Sequence, residues 1–103
     1  MEERPMAAYV IAHWWEERDQ AWRQEYAPKL LKLLEKHGGK FLVRSRAIVK
    51  RLEGHGQVPQ HFTILEFPSV AHAQAWHQDP EYVPLIQLRQ ANVTLDLLLV
   101  EGV

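Results

Sequence analysis

The stretch from His61 to Leu85 reads HFTILEFPSVAHAQAWHQDPEYVPL: a strand, an abrupt stop, a helix, a break and a second helix. Phe62, Ile64, Leu65 and Phe67 are aromatic or branched apolar residues packed densely enough for a buried strand. Pro68 ends that strand because it offers no N–H to a ladder. Ser69 is an N-cap residue, and Val70, Ala73 and Trp76 then recur at helical spacing. Asp79-Pro80 restarts the chain as a cap followed by a first-turn proline, and Tyr82, Leu85 and Ile86 carry a second helical stripe.

Working outward, Ala7 to Trp14 forms a first strand, with Tyr9-Val10-Ile11-Ala12 unbroken by charge, and Trp14 to Arg18 reads as a turn. Asp19 caps a helix whose apolar face is Trp22, Tyr26, Leu30, Leu33, Leu34 and His37, with Pro28 predicting a kink or an irregular first half. Gly38-Gly39 stops that helix. Lys40 to Ser45 is the second strand, with Phe41 and Val43 on one side and Leu42 and Arg44 on the other. Residues 47–52 extend it or form a separate short strand, and Glu53 to Pro59 is a loop. Thr94 to Val100 is the last strand. The expected elements are strands near 7–14, 40–45, 61–67 and 94–101, and helices near 19–37, 69–78 and 80–90.

That order is β-α-β-β-α-β, the split arrangement called ferredoxin-like: an α+β fold with a four-stranded antiparallel sheet, strand order 4-1-3-2, and the helices on one face. An antiparallel sheet with one wet face alternates apolar and polar residues. Tyr9 to Ala12 and Leu97 to Val100 do not alternate, so both faces call for cover, and a second copy packed sheet to sheet supplies it. The expectation is a homodimer through the sheet face.

A chain of 103 residues makes one domain, residues 1–103. Its net charge of −1, with no concentrated basic stretch, argues against an electrostatic nucleic-acid or membrane-surface binder. Cysteine is absent, which removes disulfide and thiolate chemistry. No apolar run approaches the roughly 20 residues of a membrane span, and the acidic start MEER is not a signal peptide, so a cytoplasmic protein is expected.

Several segments resemble the DUF1330 family, a domain of unknown function within the dimeric α/β-barrel superfamily. They are Ala8-Tyr9-Val10-Ile11-Ala12, Gly38-Gly39-Lys40-Phe41-Leu42-Val43-Arg44, Leu52-Glu53-Gly54, Ile64-Leu65-Glu66-Phe67-Pro68-Ser69, Ala75-Trp76, Asp79-Pro80-Glu81-Tyr82, Leu88-Arg89, Asp96 and Val100-Glu101-Gly102. The resemblance implies a ferredoxin-like dimer whose sheets close on one another, and it implies no reaction. Two departures stand out: Ser45-Arg46 where the family usually carries a glycine pair, and a first helix with Trp14-Trp15 and Pro28 placed atypically.

Among residues suited to chemistry, the six histidines offer no metal-ligand spacing. His72 and His77 stand about 140° apart around a helix axis. Neither a metal nor any other cofactor is expected. Arg44 can hold a carboxylate or enolate oxygen through its planar fork, or pair with Glu53 or Asp96. Glu66, in an apolar strand, suits acid–base work if buried and is otherwise a paired edge carboxylate. Arg89 and Asp96 read as a structural pair or dimer contact, and Trp76 and Tyr82 as core. The 4-1-3-2 order gathers His13, His61, Arg44 and Asp96 at one end of the sheet, with Tyr26 lining the place and Glu66 at the opposite end. In a catalytic reading Arg44 holds an anionic or enolisable substrate, His13 or His61 moves a proton and Asp96 orients it.

Superfamily membership implies relatives that include cofactor-free monooxygenases acting on polycyclic phenols, lactone isomerases and some haem proteins; no haem-ligand motif is present here. The leading expectation is a cofactor-free small-molecule enzyme working in the sheet–helix cleft. The alternative is a non-catalytic ligand-binding or regulatory homodimer.

Overall fold

The computed structural model describes residues 6–103; the MEER segment lies outside them. Four strands, β1 (Ala8–Glu17), β2 (Lys40–Ala47), β3 (His61–Phe67) and β4 (Val93–Glu101), form one sheet in the order β2-β3-β1-β4. Every neighbouring pair is antiparallel. Helices α1 (Trp22–Lys36), α2 (Val70–His77) and α3 (Val83–Asn92), with a 3₁₀ turn at Pro80–Tyr82 leading into α3, complete the ferredoxin-like α+β fold.

The first strand runs three residues beyond the expected Trp14. A bulge between Trp14 and Glu16 lets the chain keep pairing with β4, Glu16 against Thr94 and Glu17 against Val93. What reads as a charged turn is therefore strand, because its long partner continues past it. Asp19 caps a turn, its carboxylate accepting from the Ala21 N–H, and α1 begins only at Trp22. The helix continues unbroken through Pro28, giving up the one backbone bond that proline cannot donate. Gly38, at φ +76°, then turns the chain, and the Gly39 N–H closes on the Leu34 carbonyl at 2.7 Å. Residues 48–60 form no strand; β2 stops at Ala47.

Burial along the strands separates the two faces. Ala8, Val10 and Ala12 of β1 and Thr63, Leu65 and Phe67 of β3 are buried beneath the helices, while the residues between them are only half-buried. From above, α1 contributes Trp22, Tyr26, Leu30, Leu33 and Leu34, the same stripe the spacing predicts. Trp76, Tyr82, Phe67 and Leu34 are the largest side chains buried below 2 % exposure and form the centre of the core. The far face carries Tyr9, Ile11, Phe62 and Ile64, together with Leu98 and Val100 at 53 and 47 % exposure.

The second strand departs from simple alternation. Phe41 pairs with Leu65, Val43 with Ile64 and Arg46 with Phe62, so register shifts fall on both sides of Val43. Phe41 thus faces the helices and Val43 the far side, and Arg44 and Ser45 together oppose Thr63. The expected grouping of Phe41 with Val43, and of Leu42 with Arg44, fails because each bulge resets the period-two rule.

Candidate functional site

Between the sheet and the helices lies a cavity of about 260 Å³. Val10, Ala12 and Leu65 floor it, Trp22, Tyr26 and Leu30 of α1 wall it, and Trp76, Tyr82 and Arg89 close its other side. Arg44 and Ser45 reach it because of the bulges in β2. Ser45 adopts φ +47°, a left-handed conformation uncommon for a residue with a side chain, and its N–H donates to Thr63 Oγ1 at 3.1 Å. The Arg44 guanidinium lies 4.7 Å from the centre of the Phe41 ring.

The polar groups of this wall are guanidinium and indole N–H donors, together with hydroxyls that can donate as well as accept. Arg89 is 6 % exposed; its Nη1 donates to the Tyr82 hydroxyl at 2.8 Å, and its Nε meets no acceptor among the described residues. Trp14 Nε1, Trp76 Nε1 and Ser45 Oγ, on residues that also line the cavity, are likewise buried without a partner. No carboxylate lines the cavity among the described residues. Arg23, at the rim, is already neutralised: Glu17 takes two bonds from its guanidinium, at 2.7 and 2.6 Å, and a third from Trp22 Nε1 at 2.9 Å. Arg89 is therefore the deep, uncompensated cation of the site.

Tyr82 is held in place from below. Asp79 receives Lys36 Nζ at 2.9 Å and His37 Nε2 at 2.7 Å, and its other oxygen caps the Glu81 N–H at 2.9 Å. The lysine and histidine bonds keep the Asp79 carboxyl well below the usual carboxylate range. This knot ties the 3₁₀ turn to the end of α1 and fixes the Tyr82 ring against Trp76, 4.7 Å between centroids. The Tyr82 hydroxyl sits 2.6 Å from that of Tyr26. Burial, and then the neighbouring Tyr26, push the Tyr82 phenol up from its ordinary value despite the guanidinium beside it. His77 is pushed down, first by burial and then by the charge on Arg89.

The structure divides the residues singled out from sequence. Arg44 and Tyr26 meet in the cavity wall. His13 and Asp96 face each other across β1 and β4 on the far side of the sheet. There the His13 ring packs 4.6 Å from Phe62, and Asp96 accepts from Trp15 Nε1 at 2.8 Å. His61 is on the helix side but outside the wall, edge-on to Trp14 at 5.9 Å between centroids. Strand ends do converge here; strand alternation then sends their side chains to opposite faces. Glu66 stands on the far face with Lys40 Nζ at 3.4 Å. Arg89 and Asp96, expected as a structural pair or a dimer contact, form no ion pair with each other, since α3 carries Arg89 into the cavity while Asp96 stands on the far face of the sheet. From sequence Arg89 reads as structural rather than as a site residue, yet Tyr82, Leu85 and Arg89 share one helical stripe, and an arginine on such a stripe is a buried cation in want of an anion. Among the described residues no group of three His, Asp or Glu side chains is arranged to hold a metal ion.

Residues 7–103 match the family described as domain of unknown function (DUF1330). The chain belongs to the DUF1330 family. A protein of unknown function from Rhodopseudomonas palustris shares 22 % identity with this DUF1330 chain, covering 97 % of it and 85 % of the other, with a TM-score of 0.72. SnoaB, a cofactor-independent oxygenase from Streptomyces nogalater, is 12 % identical over 95 % of this chain and 94 % of its own, with a TM-score of 0.66. A dimeric protein of unknown function and ferredoxin-like fold from Bacteroides fragilis is 13 % identical over 93 and 96 % of the two chains, with a TM-score of 0.50. At these identities the likeness is one of fold. No curated protein matches the chain. Among the described residues no helix is long and apolar enough to cross a membrane.

Proposed function

We propose that this DUF1330 chain binds a small, mainly apolar molecule carrying a single oxyanion (carboxylate, enolate or phenolate) in the sheet–helix cavity and stabilises its charge. The observation that carries this reading is the wall of donors: a buried guanidinium without a carboxylate, and further N–H groups without acceptors. A buried unpaired donor is costly, and a buried unpaired cation more so, unless a ligand completes it. One deep uncompensated cation matches one negative charge. The aromatic lining, and a volume just under the ~300–1,000 Å³ common for small-molecule sites, favour a compact one- or two-ring body.

In the catalytic form of this reading the same donors stabilise an enolate or phenolate as it develops, which lowers a barrier without any bound cofactor. Arg44 then holds the substrate at the rim, and His61 is the nearest imidazole to the Trp14 end. His13 and Asp96, across the sheet, take no part. In the non-catalytic form the anion is simply retained. We also propose a homodimer through the far face of the sheet; the half-exposed Leu98 and Val100, beside Ile11 and Ile64, support it.

Titration with benzoate and with benzamide, followed by thermal unfolding at neutral pH, tests the binding reading. Benzoate raises the melting temperature and benzamide, the same shape without the charge, does not. Equal shifts with both ligands, or none with either, refute it.

A further inference from the structure

Three groups at the inner end of the cavity form a chain whose direction can be worked out. Arg89 has only donors, so across its 2.8 Å contact the Tyr82 oxygen must accept. That oxygen also lies 2.6 Å from the Tyr26 oxygen, and either hydroxyl is placed to donate. Tyr82 is 1 % exposed, and its hydroxyl has no third partner among the described residues. If Tyr26 donated to it, the proton left over would be that of Tyr82, the deeper of the two tyrosines in the cavity wall and already bonded to Arg89, which is the more expensive outcome. If Tyr82 donates to Tyr26, both phenol oxygens are bonded and the one hydroxyl proton left free is that of Tyr26. Tyr26, at 8 % exposure, lines the cavity.

We infer that the Tyr26 hydroxyl is the donor that seats the ligand's oxyanion, with Tyr82 and Arg89 as positioning residues that orient and polarise it in the order Arg89, Tyr82, Tyr26. This rests on the anion-binding reading of the cavity. Each bond in such a chain strengthens the next, so the positive charge of Arg89 reaches the ligand through two phenols. Burial keeps Tyr82 protonated, as the relay requires. The arrangement favours an oxyanion that accepts one strong, directional bond over one that needs a bare guanidinium fork. Phenolates and enolates are the class it fits best.

The test uses 4-nitrophenol, whose coloured phenolate reports ionisation in the bound state. The protein lowers the pKa of the bound probe because it holds phenolate more tightly than phenol. In Tyr26→Phe that preference falls about tenfold, the value of roughly one hydrogen bond to a charged acceptor. In Tyr82→Phe it falls by less, since Tyr26 still donates without being polarised. The double variant is no worse than Tyr26→Phe alone. A purely structural effect would weaken phenol and phenolate together and leave the probe's pKa unchanged. Lowered pKa in the parent protein that survives Tyr26→Phe overturns this inference while the binding reading stands. If neither 4-nitrophenol nor benzoate binds the parent protein, the binding reading fails and takes this one with it.

Discussion

Replacing Arg89 with methionine is expected to make the protein more stable and unable to bind anions. Methionine has a similar unbranched stem and keeps most of the packing under α3. On the loss side stands the Nη1 bond to the Tyr82 hydroxyl, a hydrogen bond from a charged donor, worth about 1.5–3 kcal/mol. On the gain side stands the removal of an uncompensated cation that is 6 % exposed and whose Nε has no partner, about 4–5 kcal/mol in all. The gain wins by about 1–3 kcal/mol. Urea unfolding of both proteins, at equal chain concentration and neutral pH, measures it. Adding benzoate at a hundred times its Kd should stabilise the parent by about 2.7 kcal/mol and leave Arg89→Met unmoved, so ligand erases most or all of the variant's lead. A variant less stable than its parent by 1 kcal/mol or more would mean that Arg89 is a structural element, and the reasoning would fail. Unchanged benzoate binding by the variant would refute it equally.

A charge on the far face of the sheet should prevent pairing: Leu98→Glu, at a position 53 % exposed in the single chain, is expected to shift a homodimer to monomer in light scattering without loss of far-UV signal. A β-carbon at Gly39 would lie 2.6 Å from Phe67 Cε1, and both Phe67 and Leu34 beside it are fully buried, so Gly39→Ala should cost about 1–3 kcal/mol in denaturant unfolding. Because His77 is depressed in the folded state, the unfolded chain takes up that proton first; stability present above about pH 6.5 is lost as pH falls from there towards the folded value. In Arg89→Met that loss should be smaller, since the guanidinium is the second cause of the shift, and melting curves across this range check both statements.

The strands and helices were legible because each announces its ends: Pro68 after Phe67, Ser69 before Val70, Gly38-Gly39 after Lys36, Asp79-Pro80 before the second stripe. Where the reading fell short, tertiary pairing overrode a local signal. Trp14 to Glu17 looks like a turn and is strand, because β4 is long enough to hold it. The site was half legible. Topology correctly brings the strand ends to one end of the sheet, but it does not say which face a side chain takes, and His13 and Asp96 face away. The two bulges around Val43 turn Arg44 inwards, and nothing in Phe41-Leu42-Val43-Arg44 signals them. Arg89 was visible as a charge on an apolar stripe; its lack of a carboxylate partner was not, since that depends on what the sheet and α1 place opposite it.

Ser45 is the one side-chain-bearing residue among those described whose backbone is left-handed, a conformation that glycine adopts at no steric cost. Holding serine in that conformation costs on the order of 1 kcal/mol. The bond that pins the bulge to Thr63 comes from the Ser45 backbone N–H, so glycine would keep it. The hydroxyl in the cavity wall is thus an interchangeable part: a chain can add or delete it by one residue, with no repacking of sheet or helix. Ligand choice in proteins built this way can therefore diverge faster than their fold, and two of them with nearly superimposable backbones need not share a ligand.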